Sequence, residues 1–381
     1  MREKIDEIIE FLKSELAEDC SYYSGKVFGS MSSYPDDDVV RVFAEFIEKN
    51  AGDANIFAGT AKIENKVINL LGTFFNNPTA GGNCVSGGSE ANVVGLWAAR
   101  NFFKEKKNLP FLNEEYEIIV PETRHTSIAK AADLLNLKLV EVPVNNDFEV
   151  ETKIVEEKIS EKTIAIVGIA GNTVYGAIDN IEDLSIIALN NNCWLHVDAA
   201  FGGFAIPFLK NPPKFDFILE GVKSLVADPH KNLGSPIPNG CILFRDLDYS
   251  KHIIHHLPYF SGKKTENRTI IGTKSGAAII ATYYILNFKG IDWLKKRMKS
   301  AFENKDYLKQ RLEELGFEVL GKAQLNVLAA KPPDNMRKRR NELFKKGWRI
   351  GKYGDLWRFV VMPTIRREYI NELISVLEEN C

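Results

Sequence analysis

Apolar residues recur at helical spacing between residues 3 and 19, at Ile5, Ile8, Ile9, Leu12 and Leu16, which predicts an amphipathic helix. Such a stripe needs a cover, supplied either by the main body or by a partner chain. The segment CSYYSGKVFGSMSSYP after it reads as an ordered loop, because three tyrosines and a phenylalanine interrupt its Ser and Gly residues. A second helix is expected over Asp37 to Lys49, opened by Asp36, Asp37 and Asp38 where a helix N-terminus favours acid. A third is expected over 61–75. A glycine-rich turn, TAGGNCVSGGSEAN, then feeds a long helix. Beyond it, short apolar runs alternate with helices near 126–136, 151–160 and 181–191. The runs are YEIIVPE, LKLVEVPV, TIAIVGIAG, CWLHVDAAFGG, FDFILEGVKSLVADPHK and NGCILFR. This alternation predicts an α/β layer with a mostly parallel sheet.

From Phe288 the rhythm changes. A long charged helix is expected over 291–315, followed by FEVLG, LNVLAAK, a helix near 334–346, WRIGK, WRFVVMP and a closing helix over 366–378. That sequence of elements predicts a separate α+β domain with an antiparallel sheet. The chain therefore divides into an N-terminal helical arm (1–50), a large domain (51–288) and a small C-terminal domain (289–381). The length of 381 residues allows this division.

Composition narrows the function classes. The 49 Lys and Arg nearly balance the 51 Asp and Glu, for a formal charge of −2, so no electrostatic footprint of a nucleic-acid binder is present. No apolar run reaches the 18 residues of a membrane span. The charged N-terminus lacks a signal-peptide core. The five cysteines, Cys20, Cys84, Cys193, Cys241 and Cys381, form no CxxC pair. Cys193 and Cys241 read as core thiols, and a reducing cytoplasm is the expected compartment.

Three segments carry chemistry. Ser86-Gly87-Gly88-Ser89-Glu90-Ala91-Asn92 places glycines before a helix, where free amides and a hydroxyl form an anion cradle suited to phosphate. The plain alternative is a glycine turn with a serine cap. No GK[ST] follows, so this is not a nucleotide P-loop. His196-Val197-Asp198-Ala199-Ala200 ends an apolar run and sets Asp198 at the carboxyl edge of a parallel sheet, where ligands bind. A buried carboxylate there needs a partner: an arginine, a metal or a protonated ring nitrogen. His196 and Asp198 share a strand face, but no second histidine cluster lies nearby, and no metal site is expected. Ala227-Asp228-Pro229-His230-Lys231-Asn232 brings a lysine into this company. A phosphate cradle, a buried acid and a lysine are the parts of a pyridoxal phosphate site.

Together SGGSEAN, HTS, GIAGNTVYGAIDNI, HVDAAFGG, ADPHK and IIGT resemble the fold-type I pyridoxal phosphate enzymes. Within that class the chain resembles the group II amino acid decarboxylases, and in them the short archaeal L-tyrosine/L-aspartate decarboxylase branch. Order and spacing agree from about residue 25 to 375. The resemblance implies a large domain with a mostly parallel seven-stranded sheet, a small α+β domain, and pyridoxal 5'-phosphate as cofactor. Lys231 would carry the cofactor through its amine, and Asp198 would pair with the ring nitrogen. Ala200 and His125 would pack on the two ring faces. Gly88 and Ser89 would bind the phosphate. Thr173 would sit near the ring, and His230 beside the lysine. The family forms homodimers with shared active sites, so the 1–50 arm would contact the partner, and Ile271-Gly272-Thr273 would reach the neighbouring phosphate. Tyr259, in the polar loop His252 to Arg268, would protonate Cα, with His255 and His256 as alternatives. Arg358 would hold a substrate carboxylate. Asn83, Asn172, Val174 and Tyr175 depart from the branch's usual residues, which places Asn83 among the candidate substrate contacts.

The resemblance implies decarboxylation of L-aspartate or L-tyrosine, or of L-glutamate, with relatives serving methanofuran or coenzyme A synthesis. Two other readings stay open. One is a carbon–carbon lyase or aminotransferase on the same fold, told apart by its products. The other is a cofactor-free scaffold or RNA-associated regulator, which the retained lysine, acid and cradle argue against.

Overall fold

Strands without polar alternation need cover on both faces. The computed structural model, which describes residues 2–106, 116–257 and 265–379, shows how that cover is built. Helices α1 (Arg2–Glu15), α2 (Asp37–Glu45) and α3 (Ala58–Phe74) precede strand β1 (Gly81–Val85) and the long α4 (Gly88–Lys106). Then follow β2 (Tyr116–Pro121), α5 (Thr126–Leu135), β3 (Leu137–Val142), α6 (Thr152–Glu157) and β4 (Thr163–Ile169). The layer closes with α7 (Ile181–Asn190), β5 (Trp194–Asp198), β6 (Val222–Ala227) and β7 (Gly240–Phe244). The seven strands lie in the order β1-β7-β6-β5-β4-β2-β3. β3, β2, β4, β5 and β6 run parallel, and β7 opposes both its neighbours. This is the mostly parallel seven-stranded sheet that the apolar runs imply.

The sheet separates two apolar cores. Ile118 and Val120 point into one with Ala91 and Val94 of α4 and Ile128 of α5. Ile119 points into the other with Leu71 of α3 and Leu184 of α7. The period-two alternation along β2 is thus hidden in the sequence, because both faces are apolar.

A two-stranded hairpin, β8 (His255–Leu257) with β9 (Thr265–Asn267), leads to α8 (Gly276–Tyr284) and α9 (Gly290–Glu314). Then come β10 (Glu318–Leu320), β11 (Val327–Lys331), α10 (Arg339–Lys345), β12 (Gly351–Tyr353), β13 (Leu356–Val360) and α11 (Arg367–Glu378). The second sheet is antiparallel in the order β10-β11-β13-β12.

Several elements differ from the sequence expectation. The glycine-rich turn contains β1, whose pairing with β7 overrides the poor strand propensity of Gly81, Gly82 and Asn83. In FDFILEGVKSLVA only the second half forms a strand, since residues 215–221 turn instead. The helix near 334–346 is broken into a short turn, Asp334–Met336, and α10. The loop from His252 to Arg268 carries paired strand ends, His255 against Asn267. The apolar side chains of α1, Ile5, Ile8, Ile9, Phe11 and Leu12, are all exposed in the single chain, so the main body does not cover them.

Part of the N-terminal segment joins the second sheet. Val27 bridges to Arg349 of the small domain, and Val360 N–H donates to the Phe28 carbonyl at 2.6 Å. Phe28 is fully buried between Trp348 and Phe359, with ring centroids 6.0 and 6.4 Å away. Phe28→Ala is expected to destabilise the small domain by about 3–5 kcal/mol, seen as a lower urea midpoint for the Trp348 and Trp357 fluorescence.

Candidate active site

In a parallel layer the loops after the strands meet at the carboxyl edge. Here the ends of β1, β2, β4, β5 and β6 surround a cavity of about 460 Å³. Its walls include Ser86, Gly88, Ser89, His125, Thr173 and Asp198, together with Ala200, His230 and Lys231. The structure thus brings most of the sequence-predicted residues to one cavity.

Asp198 closes β5 and is buried. Its Oδ2 accepts from Asn92 Nδ2 at 2.9 Å, and its Oδ1 accepts from the Ala200 amide at 3.1 Å. These donors answer the demand of a buried carboxylate without neutralising it. Lys231 lies in the turn after β6, where its backbone breaks helical geometry at φ −94° and ψ −116°. Its Nζ sits 3.1 Å from Oδ2 of Asp228, a nearly fully buried acid whose Oδ1 has no hydrogen-bond partner among the described residues. His230 Nδ1 donates to the Asn239 carbonyl, and its Nε2 lies 3.8 Å from Asp228 Oδ2.

The cradle is the first turn of α4. Its leading amides lack intrahelical partners and carry the positive end of the helix dipole. A Cβ on Gly88 would stand 2.8 Å from Asp228 Oδ2 and 3.0 Å from the Ala200 methyl, so only glycine allows this approach. Glu90 holds the loop in place, accepting from the amides of Ser86 at 2.7 Å and Ile271 at 2.9 Å. His125 caps α5, its Nδ1 accepting from the Ser127 amide at 3.2 Å. Burial of the rest of the ring pulls its pKa below the usual histidine value, partly opposed by Asp198.

A phosphorylated pyridine aldehyde suits these groups. The amide cradle is an anion site that a Cβ would fill, the lysine supplies an amine, and Asp198 remains an acceptor.

Some candidates lie elsewhere. Asn83 sits on β1 opposite Ile242 and does not line the cavity. Thr273 borders a smaller cavity behind the cradle, with Cys84 and Lys274, and Gly272 precedes it in the same segment. Arg358 lies on β13, outside the lining, with its Nε buried and without a partner. His255 stacks on Trp97 at 5.4 Å, also outside. Tyr259 falls outside the described residues. Asn92 and Asp228 join the site without a role that the sequence pattern assigns; the signal for them is their position within SGGSEAN and ADPHK. Asn172 was read as a departure, and it is a buried turn residue, its Oδ1 accepting from the Tyr175 amide at 2.8 Å.

Behind Asp198 on the same strand, His196 is fully enclosed, and burial drives its pKa down to about 4 against a smaller upward pull from Asp198. A lowered pKa means the unfolded chain binds more protons between about pH 4 and 6.5, so stability is fully present above that window and falls as pH drops through it. Wild type is expected to lose about 3 kcal/mol from this group on acidification from pH 7 to 4. His196→Gln should show a correspondingly shallower pH dependence of its denaturation midpoint.

Comparison with known proteins agrees with this geometry. The family described as "Pyridoxal-dependent decarboxylase conserved domain" matches residues 2–329. An L-tyrosine/L-aspartate decarboxylase of Methanocaldococcus jannaschii is 38% identical, covering 97% of this chain and 96% of the relative. An L-aspartate decarboxylase of Thermococcus kodakarensis is 37% identical, covering 98% of this chain and 96% of the relative. The solved Lactobacillus brevis glutamate decarboxylase superimposes with a TM-score of 0.89 at 23% identity, over 98% of this chain and 91% of that one. Near-complete coverage by such relatives, with Lys231 and Asp198 on one cavity wall, makes this chain a member of the pyridoxal-dependent decarboxylase family, whose cofactor is pyridoxal 5'-phosphate.

Proposed function

We propose that this chain decarboxylates an L-amino acid, with L-aspartate and L-tyrosine as favoured substrates and L-glutamate as a further one. The observation that carries the reading is the convergence of Lys231, Asp198 and the Gly88–Ser89 cradle on one cavity. The names of the relatives supply the substrate class.

In this reading Lys231 holds the cofactor through Nζ, Asp198 keeps a proton on the ring nitrogen, and the Gly88 and Ser89 amides bind phosphate. Thr173 and Ala200 pack near the ring. When bound, the cofactor supplies a conjugated ring that takes up the electron pair left at Cα as carbon dioxide departs. Asp228, 3.1 Å from Nζ, would orient the Lys231 amine toward the cofactor. Ile169, Ala200 and Phe201 make an apolar wall that limits water around the reacting carboxylate. His125 also lines the cavity and would pack on the ring face opposite Ala200. Tyr259 is carried forward, from the family resemblance, as the acid toward Cα.

Arg358 stays the substrate-carboxylate contact that the family resemblance implies, although in the single chain it lies outside the cavity lining. Its guanidinium Nε is buried with no hydrogen-bond partner among the described residues, and a half-buried cation of that kind suits an incoming anion. Burial alone lowers its pKa.

The proposed assembly is a homodimer. A second copy would cover the exposed stripe Ile5, Ile8, Ile9, Leu12 and Leu16 and would bring Gly272 and Thr273 toward the neighbouring phosphate. The four described cysteines are free thiols, as a cytoplasmic setting would keep them. No described helix is long and apolar enough to cross a membrane.

Separate incubations with L-aspartate, L-tyrosine and L-glutamate, with product identification, test the reaction. Amine and carbon dioxide are expected; an aldehyde or keto acid would instead indicate a lyase or aminotransferase. Lys231→Ala is expected to lose the visible absorption of the bound cofactor and all measurable turnover. Deleting residues 2–15 should lower the mass measured by light scattering toward that of one chain.

A further inference from the structure

Trp194, His196 and Asp198 alternate along β5 and so share the sheet face that α4 covers. Asn92 projects from α4 to meet them and is almost fully buried. Gly95, one turn further, leaves room for the imidazole: a Cβ there would stand 2.6 Å from His196 Nδ1. The helix is thus shaped around this histidine, which touches no wall of the cavity.

The polar atoms form a chain whose direction is forced at both ends. A carboxylate only accepts and an indole N–H only donates. The Asn92 atom 2.9 Å from Asp198 Oδ2 is therefore its amide nitrogen. Its oxygen then faces His196 Nε2 at 2.9 Å and receives that proton. A neutral imidazole has one proton, so Nδ1 is bare and accepts from the Ser224 hydroxyl at 2.7 Å. Ser224 Oγ in turn accepts from the Trp194 indole at 2.7 Å. Full burial keeps His196 neutral throughout the working pH range.

A branch leaves at Asn92. Its amide nitrogen also donates to Ser127 Oγ at 2.9 Å. The Ser127 hydroxyl then donates to His125 Nδ1 at 2.9 Å, beside the Ser127 backbone N–H at 3.2 Å. His125 accepts twice at Nδ1, so its own proton lies on Nε2, at the opposite edge of the ring. The charged groups acting on that ring are Asp198, Lys231, Asp228 and Lys130.

We propose that Asn92, backed by His196, Ser224 and Trp194, is the positioning residue that sets the Asp198 carboxylate and locks His125 in its Nε2–H form as one unit. His125 consequently serves as a hydrogen-bond donor to whatever occupies the cavity and not as a proton acceptor. This rests on the functional reading, in which Asp198 and His125 both face the cofactor.

The test begins with the apo protein carrying ¹⁵N-labelled histidine, the His125 signals being identified by their loss in His125→Gln. Neutral rings with bare Nδ1 and protonated Nε2 are expected for both His125 and His196. A proton on Nδ1 of either overturns the proposal, whatever the variants do. Asn92→Leu is expected to populate the Nδ1–H form of His125 and to weaken pyridoxal phosphate binding by at least about tenfold. Ser127→Ala cuts only the branch; it should move the His125 signal while cofactor affinity stays within about threefold of wild type. A folded Asn92→Leu with wild-type signals and wild-type affinity would also sink the idea. Should that variant not fold, the wild-type spectra and Ser127→Ala still decide. Loss of the predicted apo signals leaves the decarboxylase reading standing, whereas wild-type protein with those signals but no cofactor binding strikes that reading alone.

Discussion

A charged oxygen pair inside a protein is tolerable only when fixed dipoles replace the water it gives up. Asp198 imposes that condition on the whole site. It ends a strand buried on both faces, and its two acceptor atoms are met by one side-chain amide and one backbone amide. The side-chain donor has to come from a helix laid across the sheet at one particular height. That helix is α4, and the absence of a side chain at Gly95 lets it settle against the His196 ring. Packing and electrostatics are the same requirement here, since the residue that satisfies the carboxylate also sets the distance between helix and sheet.

The same helix does a second job four residues earlier. Gly88 and Ser89 begin it and line the cavity, and the amides of a first helical turn have no intrahelical partner. An α-helix rises about 1.5 Å per residue, so the separation between the anion cradle and the Asp198 clamp is built into one rigid element. Lys231 approaches from another strand end, held by Asp228. A single chain segment therefore sets the spacing between the cradle and Asp198, while Lys231 is contributed independently by the turn after β6.

Part of the remaining wall comes from the N-terminal segment. Residues 26–28 join the small domain through Arg349 and Val360, and Met31 and Ser32, a few residues on, line the cavity. On the opposite side the turn at Asn172 is tied to Phe148, whose ring stacks on Tyr175 at 3.5 Å. Tyr175 in turn meets Tyr353 of the small domain at 6.3 Å. Lys231, Asp198 and the Gly88–Ser89 cradle thus all lie in the seven-stranded layer, and Tyr175 touches the second sheet beside them.

The local sequence determined a good deal by itself. Apolar runs of strand length can only be buried strands when helices separate them, so the α/β layer and its parallel core were legible. SGGSEAN, HVDAA and ADPHK were legible as chemistry because each couples a backbone constraint to a polar group. What sequence could not carry were contacts made across the fold. β1 exists because β7 lies beside it, against the preference of its own glycines. Phe28 belongs to the small domain because Trp348 and Phe359 close around it. Asn92 gains its meaning only from residues 35 to 106 positions away, Ser127 and Asp198 among them. Hydrogen-bond direction depends on which atoms meet in space, and no pattern along a chain encodes that until tertiary packing has brought helix and sheet together.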